Sequence, residues 1–259
     1  MSVTVRPVGD MLREWRQRRR KSQLELSLDA EISTRHLSFL ETGRSQPSRE
    51  MVLRLAEQLD MPLRDRNVLL QAAGYASVFP ERPLDDPALA IARQAIEQVL
   101  TGHEPNPALA VDRHWTLVAS NAATGRLLAG VDPALLQPPV NVLRLALHPR
   151  GVAPRTANLG EWRAHLLARL GHQIQITGDP VLVRLLRELR DYPAPAAPAH
   201  DVDAAAFVVP FRLVTEHGTL AFFSTVTVFG TPIDVTLSEL AVEAFYPADV
   251  ATADALRRA

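Results

Sequence analysis

Apolar residues recur at helical spacing through the first quarter of the chain, and serine, proline and glycine residues interrupt them. This pattern predicts five helices, Val8–Arg19, Gln23–Glu31, Thr34–Glu41, Arg49–Leu59 and Arg64–Ala72. The second and third helices are short and meet at a sharp corner, and Gly43 ends the third. Five such helices predict a compact all-α domain, and the corner predicts a helix-turn-helix motif.

The second helix has a predicted start and a predicted apolar side. Ser22 offers a side-chain oxygen to the free backbone N–H groups of its first turn, as Ser48 does for the fourth helix. The apolar contacts of the second helix are assigned to three leucines, Leu24, Leu26 and Leu28. We expect these contacts to hold the helix against the rest of the domain.

The third helix, which follows Ser33, has a polar face of unusual chemistry. Leu37 and Leu40 mark its buried side, and a period of 3.6 residues turns the opposite side outward. The outward residues are Arg35, Ser38, Phe39 and Thr42, with Thr34 at the exposed N-terminal edge. An ordinary corner between two bundled helices is the competing interpretation. Solubility alone explains such a face poorly, so the pattern favours a helix that reads DNA.

After Gly74 the helical pattern breaks off. Pro80, Pro83 and Pro87 block helix continuation and predict a linker over residues 80–87. The helices predicted beyond it are Ala88–Leu100, Asn121–Ala129, Asn141–Leu147, Glu161–Gln173, Pro180–Arg190 and Leu237–Phe245, with a loop over Tyr192–Ala199.

Four stretches alternate between apolar and polar residues, as half-buried strands do. Residues 109–120 predict two short strands around a turn at residues 112–114. Residues 206–214 and 219–229 predict a hairpin joined at His217–Gly218. Two strands, several helices and a hairpin predict an α+β domain in which helices cover one face of an antiparallel sheet.

The predicted domains are a helix-turn-helix domain over residues 1–79 and an α+β domain over residues 88–259, joined by the linker over residues 80–87. The net charge of −1 hides a difference between the two ends of the chain. Residues 1–83 hold 14 Lys and Arg against 11 Asp and Glu, whereas residues 84–259 hold 14 against 18. The basic excess includes a cluster suited to phosphate contacts, Arg16, Arg18, Arg19, Arg20 and Lys21.

Composition excludes several classes of site. The absence of cysteine rules out disulfides, thiolate nucleophiles and Cys-based zinc sites. His165 and His172 lie on one predicted helix, but no HExxH motif and no carboxylate cluster accompanies them, so we expect no metal and no cofactor. The chain has no run of about 18 apolar residues and no apolar signal segment, which predicts a cytoplasmic protein that does not bind membranes.

The sequence resembles the Xre/Cro helix-turn-helix regulators, and more narrowly those with an MmyB-like ligand-binding domain. The N-terminal strings that carry the resemblance are STRHLSFLETGRSQPSREMVLRLAEQLDMPLRDRN and LLQAAGY. The C-terminal strings are NVLRLALHPRG, NLGEWRAHLL, TGDP and FFSTVTVFGTPIDVTLSELAVEAFYPAD. The resemblance covers nearly the whole chain. It implies an all-α lambda-repressor-like domain, then an α+β PAS-like domain with an antiparallel sheet and a pocket for a fatty-acid-like molecule.

The resemblance also implies roles for individual residues in DNA binding. Gln23 corresponds to a glutamine that braces a backbone phosphate and the next helix, and Arg16 and Glu41 correspond to a buried ion pair. The base-facing positions are Thr34, Arg35 and Phe39, and the phosphate-contacting positions are Ser38, Thr42 and Arg44. Many members place glutamine where this chain has Arg35 or Phe39, so the operator sequence does not transfer.

Six residues are candidates for the ligand pocket, namely Trp115, Arg144, His148, Trp162, Phe222 and Phe223. Arg144 and His148 lie four residues apart on one helical face and can receive a carboxylate. A surface pair is the competing interpretation for these two, and ordinary core packing is the competing interpretation for each aromatic residue. Adjacent strand residues face opposite sides, so Phe222 and Phe223 cannot both face the covered side of the sheet.

The leading interpretation is a sequence-specific transcription regulator without enzymatic activity. It binds a double-stranded DNA operator as a homodimer and responds to a small apolar or fatty-acid-like ligand. Two alternatives stay open: a C-terminal domain that binds a protein partner, and one that carries an acyl-directed enzymatic activity. The second has little support because the GxSxG, P-loop and GxGxxG motifs are absent.

Overall fold

The computed structural model describes residues 6–195 and 209–258. This part of the chain divides into two compact units. The first unit comprises the residues up to Pro83 together with Gln175–Thr177 and Thr231–Ser238, and the second comprises the other described residues. Each unit has its own hydrophobic core.

The first unit contains the five helices that the apolar periodicity predicts. They are α1 (Val8–Arg18), α2 (Gln23–Asp29), α3 (Thr34–Glu41), α4 (Arg49–Gln58) and α5 (Leu63–Ala72). All five are confirmed to within two residues at their ends. Leucines from every helix meet in the core, and Leu12, Leu26, Leu37, Leu55 and Leu69 are fully buried.

Serine side chains begin three of these helices. Ser22 forms a capping box, in which its Oγ accepts the backbone N–H of Glu25 at 3.1 Å and the Glu25 carboxylate accepts the N–H of Ser22 at 2.6 Å. Ser33 and Ser48 cap α3 and α4 in the same way through one hydrogen bond each. These bonds are local, which is why the sequence alone places the helix starts well.

The apolar side of α2 differs from the prediction. Leu26 is fully buried, but Leu24 is 58 % exposed and Leu28 is 67 % exposed. Residues two positions apart on a helix point about 200° away from each other, so these three leucines cannot share one face. The predicted core contacts are therefore correct for Leu26 and wrong for Leu24 and Leu28.

The second unit is built around one antiparallel sheet. Its strands are β1 (Ala108–Val111), β2 (Leu117–Ser120), β3 (Phe211–Thr215), β4 (Gly218–Val228) and β5 (Ala241–Pro247). The order across the sheet is β2-β1-β5-β4-β3, and every neighbouring pair is antiparallel. The predicted fold class, an all-α domain followed by an α+β domain with an antiparallel sheet, is confirmed.

Helices follow the linker and separate the strands. They are α6 (Ala90–Gly102), α7 (Thr124–Leu127), α8 (Val142–Leu147), α9 (Leu159–Thr177), α10 (Pro180–Asp191), α11 (Val235–Ser238) and α12 (Val250–Arg258). Asp179 caps α10 by accepting the backbone N–H of Val181 at 2.8 Å, and Pro180 occupies the first turn, as its fixed φ allows. The helices predicted before residue 195 are therefore present, although α7 is shorter than predicted.

Both predicted strand pairs are present. β1 and β2 flank the turn around Asp112, and β3 and β4 form a hairpin in which Thr215 pairs with Gly218. The predicted strand that contains Phe211 also included residues 206–208, which lie outside the described residues.

The predicted helix over Leu237–Phe245 is wrong. A single helical turn, α11, ends at Ser238, and the strand β5 begins at Ala241. β5 lies between β1 and β4, so it occupies the centre of the sheet. A short apolar run that contains Ala, Glu and Val can form a helix or a strand. Here pairing with a neighbouring strand on each side favours the strand. The helix at the end of the described chain, α12, was not predicted.

Candidate nucleic-acid interface and ligand cavity

The recognition candidate, α3, is fixed from its buried side. Leu37 and Leu40 are completely buried, and α1 lies directly against the end of α3. Gly9 of α1 permits this approach, because a Cβ atom there would lie 2.5 Å from the carbonyl oxygen of Leu40. The position of α3 in the domain is thus determined by contacts that leave its other side free.

An ion pair ties α1 to the C-terminal end of α3. The Arg16 guanidinium donates two hydrogen bonds to the Glu41 carboxylate, at 2.6 and 2.9 Å, and a third to the backbone oxygen of Lys21 at 2.9 Å. Gln23 donates to the same carboxylate at 2.8 Å. The hydrogen bonds to Glu41 raise the pKa of Arg16 above its ordinary value, against the effect of burial. The ion pair that the resemblance implied is present.

Gly43 ends α3 with a left-handed residue, at φ 71°. The backbone N–H of Arg44 donates to the carbonyl of Phe39 at 2.9 Å, and that of Gly43 donates to Leu40 at 3.2 Å. These two bonds form a Schellman motif, which satisfies the last carbonyls of the helix. They also turn Arg44 back towards α3.

The outer side of α3 carries an exposed cationic and aromatic cluster. Arg35 and Arg44 are exposed, and Phe39 is half-buried. Their guanidinium carbons lie 5.3 and 5.9 Å from the centre of the Phe39 ring, within the range of a cation–π contact. The contacts hold two positive side chains beside one aromatic ring, and an arginine in this position can donate a bidentate pair to guanine.

Two of the predicted hydroxyl groups on this face, those of Thr34 and Thr42, have partners within the protein. Thr34 Oγ1 lies 3.0 Å from Ser27 Oγ and so links α3 to α2. Thr42 Oγ1 donates to the carbonyl of Ser38 at 2.7 Å. Thr34 and Ser38 are half-buried, whereas Thr42 is exposed. All seven predicted DNA-binding residues therefore belong to α3 or to the residues that adjoin and support it.

Most of the basic cluster over residues 16–21 is engaged within the protein. Arg19 donates to the carbonyls of Leu59 and Asp60, each at 2.7 Å, so it satisfies carbonyls at the end of α4. Lys21 pairs with Asp29 at 2.7 Å. Arg18 pairs with Glu14 and lies 5.1 Å over the ring of Trp15. Carbonyl and carboxylate groups of the protein therefore already bind these side chains, and their phosphate contacts stay a prediction.

A cavity with an empty volume of about 680 Å³, including its opening, lies in the second unit between the sheet and the helices that cover it. Its walls come from β1, β2, β3, β5, α7, α8 and α9, and they are mostly leucine, valine and aromatic side chains. Trp115 and Trp162 line it, as do Phe211 and Phe245. A concave, mostly apolar space with few polar groups is typical of a small-molecule site.

Trp115 reaches the cavity from the turn between β1 and β2. Its φ is 65°, a left-handed conformation that bulky residues rarely adopt. Two contacts hold the side chain there: its indole N–H donates to Gln173 at 2.8 Å, and the Arg169 guanidinium carbon lies 4.5 Å from the ring centre. Its backbone N–H also closes the turn by donating to Asp112 at 3.0 Å. A strained residue held by several contacts is a common feature of a functional site.

Glu243 brings a carboxylate to the wall of the cavity. It belongs to the central strand β5, its side chain is 6 % exposed, and Arg169 of α9 donates to it at 3.0 Å. His165, one turn before Arg169, stacks on Trp162 with ring centres 5.4 Å apart. Burial lowers the pKa of His165, the positive charge of Arg169 lowers it further, and Glu243 acts in the opposite direction.

The adjacent phenylalanines of β4 separate to the two faces of the sheet, as their alternation requires. Phe222 is fully buried, with its ring centre 6.1 Å from that of Phe211 and 6.3 Å from that of Phe245. Phe223 lies on the other face and stacks on Tyr246 at 5.3 Å. Neither lines the cavity: Phe222 packs in the core beside the lining aromatics, and Phe223 faces away from them.

Arg144 and His148 belong to a different cluster. Arg144 donates two hydrogen bonds of 2.8 Å to Glu188 of α10, which also accepts the hydroxyl of Tyr192 at 2.6 Å. His148 makes an edge contact with the Tyr192 ring. The bond from Arg144 lowers the pKa of Glu188, while burial and Glu188 raise the pKa of Tyr192 to about 12. A carboxylate of the protein thus occupies the position proposed for a ligand carboxylate.

The structure therefore brings together two of the six predicted ligand residues, Trp115 and Trp162. The charged residues that accompany them, Glu243 and Arg169, were not predicted. A signal for Glu243 exists in the sequence, because it is one charge within the otherwise uncharged run LAVEAFY. Its assignment to a helix hid that signal, since a helix can turn a single charge towards solvent, whereas alternation along β5 places Glu243 on the covered side of the sheet with Phe245.

The described part of the chain has neither a candidate metal site nor a candidate membrane-spanning helix. Residues 6–195 and 209–258 contain no group of three or more His, Asp or Glu side chains that could hold a metal ion. No helix within the same ranges is long and apolar enough to cross a membrane.

Comparison with known proteins identifies both parts of the chain. Residues 92–259 match the model of the MmyB-like transcription regulator ligand binding domain, and residues 12–65 match a helix-turn-helix model. The transcriptional regulator ClgR of Mycobacterium tuberculosis is 36 % identical over 83 residues, which are 32 % of this chain and 71 % of that protein. The solved structure of the clp gene regulator ClgR from Corynebacterium glutamicum is 30 % identical, covers 29 % of this chain and 94 % of its own, and has a TM-score of 0.24.

The family matches agree with the geometry of the two units. A helix-turn-helix with an exposed basic face lies in one, and an apolar cavity lies in the other, within the region of the ligand-binding match. The matched families are families of transcription regulators and not of enzymes. The chain belongs to the family of DNA-binding helix-turn-helix transcription regulators that carry an MmyB-like ligand binding domain.

Proposed function

We propose that the protein reads a double-stranded DNA operator through the outer side of α3, and that an apolar small molecule in the cavity of the second unit changes operator occupancy. The observation that carries the first part is the cluster of Arg35, Phe39 and Arg44 on the side of α3 opposite its buried leucines. Arg35 and Phe39 are the proposed base readers, with Thr34 at the edge of the same surface. Ser38, Thr42, Arg44 and Gln23 are the proposed phosphate contacts.

Replacing Arg35 by Ala tests the base-reading role. We expect affinity for a duplex selected by the wild-type protein from a random pool to fall by about 10- to 100-fold, because a bidentate contact to guanine discriminates by about 1–3 kcal/mol. Affinity for a random duplex should fall much less. Fluorescence anisotropy at fixed salt measures both.

Two variants serve as controls for this measurement. Arg44→Ala removes a proposed phosphate contact and should weaken both duplexes alike, with the salt slope reduced by about one. Arg212→Ala removes the same charge from an exposed position on β3 and should change neither affinity. Unchanged affinities for both duplexes in Arg35→Ala would remove α3 as the reading helix.

We further propose that two chains bind one operator. A single short helix contacts few base pairs, whereas two helices related by a two-fold axis reach successive major grooves about 34 Å apart. The anisotropy titration, repeated at DNA concentrations well above the dissociation constant, gives the number of chains per duplex, and we expect two. A ratio of one chain per duplex contradicts the dimer.

The ligand part of the proposal rests on the apolar walls of the cavity around Trp115 and Trp162. A ligand alters DNA affinity only if it binds one arrangement of the protein better than another, so its effect and its binding are linked. If a protein side chain fills the cavity, the protein should lose ligand binding and the response of its DNA affinity to the ligand together.

Ala146→Phe places an aromatic ring in the cavity from α8. We expect it to weaken the binding of decanol by about tenfold or more, since a packed interior has no space for both groups. The operator affinity of this variant should also stop responding to decanol. Isothermal titration calorimetry measures binding, and thermal unfolding checks the fold. Ala164→Phe, on an exposed position of α9 outside the cavity, is the matched control and should bind decanol normally. Equal decanol binding by both variants would exclude the cavity as the site.

A further inference from the structure

The polar groups of the cavity wall restrict which head group an apolar ligand can carry. Among the described residues, Glu243 is the one charged side chain that lines the cavity. Thr124 also lines it, but its hydroxyl hydrogen is engaged by the carbonyl of Ala108 at 2.9 Å and by Asn121 at 3.0 Å. The indole N–H of Trp115 is engaged by Gln173. The remaining oxygen lone pairs of Glu243 and Thr124 are hydrogen-bond acceptors.

Arg169 does not add a hydrogen-bond donor to the cavity wall. It donates to one oxygen of Glu243, Oε1, and its guanidinium carbon lies 4.5 Å over the Trp115 ring, but it is not among the residues that line the cavity. Its side chain is 27 % exposed, whereas that of Glu243 is 6 % exposed. The carboxylate therefore contributes to the cavity wall while its cationic partner is the more solvated of the two.

The position of Glu243 in the sheet indicates that function, and not stability, explains a carboxylate there. β5 is the central strand, and Glu243 pairs with Leu109 of β1 and Val226 of β4. A leucine in this place would avoid the free energy needed to remove a carboxylate from water, and a buried ion pair is often no more stabilising than apolar side chains of the same volume. Local rules of packing are broken most often at functional sites.

We infer that the cavity takes an apolar ligand whose head group is a hydrogen-bond donor, a hydroxyl or a protonated amine, and that Glu243 discriminates against a free carboxylate. This inference rests on the proposed ligand-binding function of the same cavity. A donor or a cation at the head satisfies the Glu243 acceptor. An anion placed beside Glu243 in an apolar environment is repelled, because charges of the same sign repel each other strongly where water is excluded.

The test compares decanol, decylamine and decanoate, which share one chain length, on the full-length protein at pH 7 below their aggregation limits. We expect the wild-type protein to bind decanol and decylamine about tenfold or more tightly than decanoate, by the same charge argument. Glu243→Gln keeps the shape and one acceptor oxygen and removes the charge. It should therefore lower the ratio of decylamine to decanoate affinity by about tenfold while leaving decanol binding nearly unchanged.

A second variant is expected to change the affinity ratio in the opposite direction, which a general folding defect would not do. Arg169→Gln leaves Glu243 without its cation and should raise the ratio of decylamine to decanoate affinity. Glu188→Gln removes a carboxylate that binds Arg144 away from the cavity and should leave the ratio unchanged. Tighter binding of decanoate by the wild-type protein, or ratios that neither variant moves, would overturn the inference and leave the cavity as a ligand site. No binding of any of the three probes would overturn the ligand-binding proposal and this inference together.

Discussion

Replacing Arg16 by Met is expected to lower the free energy of unfolding of the N-terminal helices by about 3–5 kcal/mol. The loss arises because the Glu41 carboxylate, whose side chain is 2 % exposed, remains buried without its cation. Gln23 remains as a donor to Glu41 but carries no charge. Native-state hydrogen exchange of the α1 and α3 amides measures the loss in the full chain.

Two further variants separate the loss of the ion pair from the loss of an arginine side chain. Arg13→Met changes an exposed arginine on the same helix and should alter the free energy by less than about 0.5 kcal/mol. The double variant Arg16→Met with Glu41→Leu removes both charges and should recover most of the loss. If Arg16→Met is no more destabilising than Arg13→Met, the ion pair does not hold α3 in place.

Replacing Phe222 by Ala is expected to cost the second unit about 3–5 kcal/mol, since it empties a fully buried aromatic site. Phe222 packs beside Phe211 and Phe245, which line the cavity, so its loss should also weaken decanol binding. Hydrogen exchange of the β4 and β5 amides measures the stability, and calorimetry measures the binding.

The neighbouring residue provides the matched control. Phe223→Ala removes the same ring from the other face of β4, where Phe223 is half-buried against Tyr246. A single cross-strand aromatic contact contributes about 0.2–1 kcal/mol, so the loss should be several times smaller. Equal losses at the two positions would contradict the assignment of Phe222 to the core side of the sheet.

The N-terminal helices were predictable because their signals act over a few residues. The serines at 22, 33 and 48 bond to backbone groups three positions away, and Gly43 closes α3 through its own left-handed conformation. The apolar face of α2 was less predictable. Leu24 and Leu28 are as apolar as Leu26, and the neighbouring helices alone decide which side of α2 is covered.

The sequence predicted an apolar ligand cavity in the α+β domain, but only some of the residues that line it. Aromatic residues near strands indicate an apolar α+β interior, and Trp115 and Trp162 do line the cavity. Arg144 and His148 have the right spacing for a carboxylate, but α10 brings Glu188 to Arg144 from a position 44 residues later in the chain. Spacing along one helix carries no information about such a partner.

The sequence by itself determined the all-α and α+β classes, the helix-turn-helix and its outward Arg35, and the separation of Phe222 from Phe223, because periodicity and capping are local properties. Only the tertiary structure decided that Leu237–Phe245 contributes a central strand instead of a helix, and that Glu243 and Arg169 supply the charges at the cavity. Strand pairing and burial join residues far apart in the chain, as Leu109 and Glu243 are joined across β1 and β5. Their free energy depends on partners that no local pattern specifies.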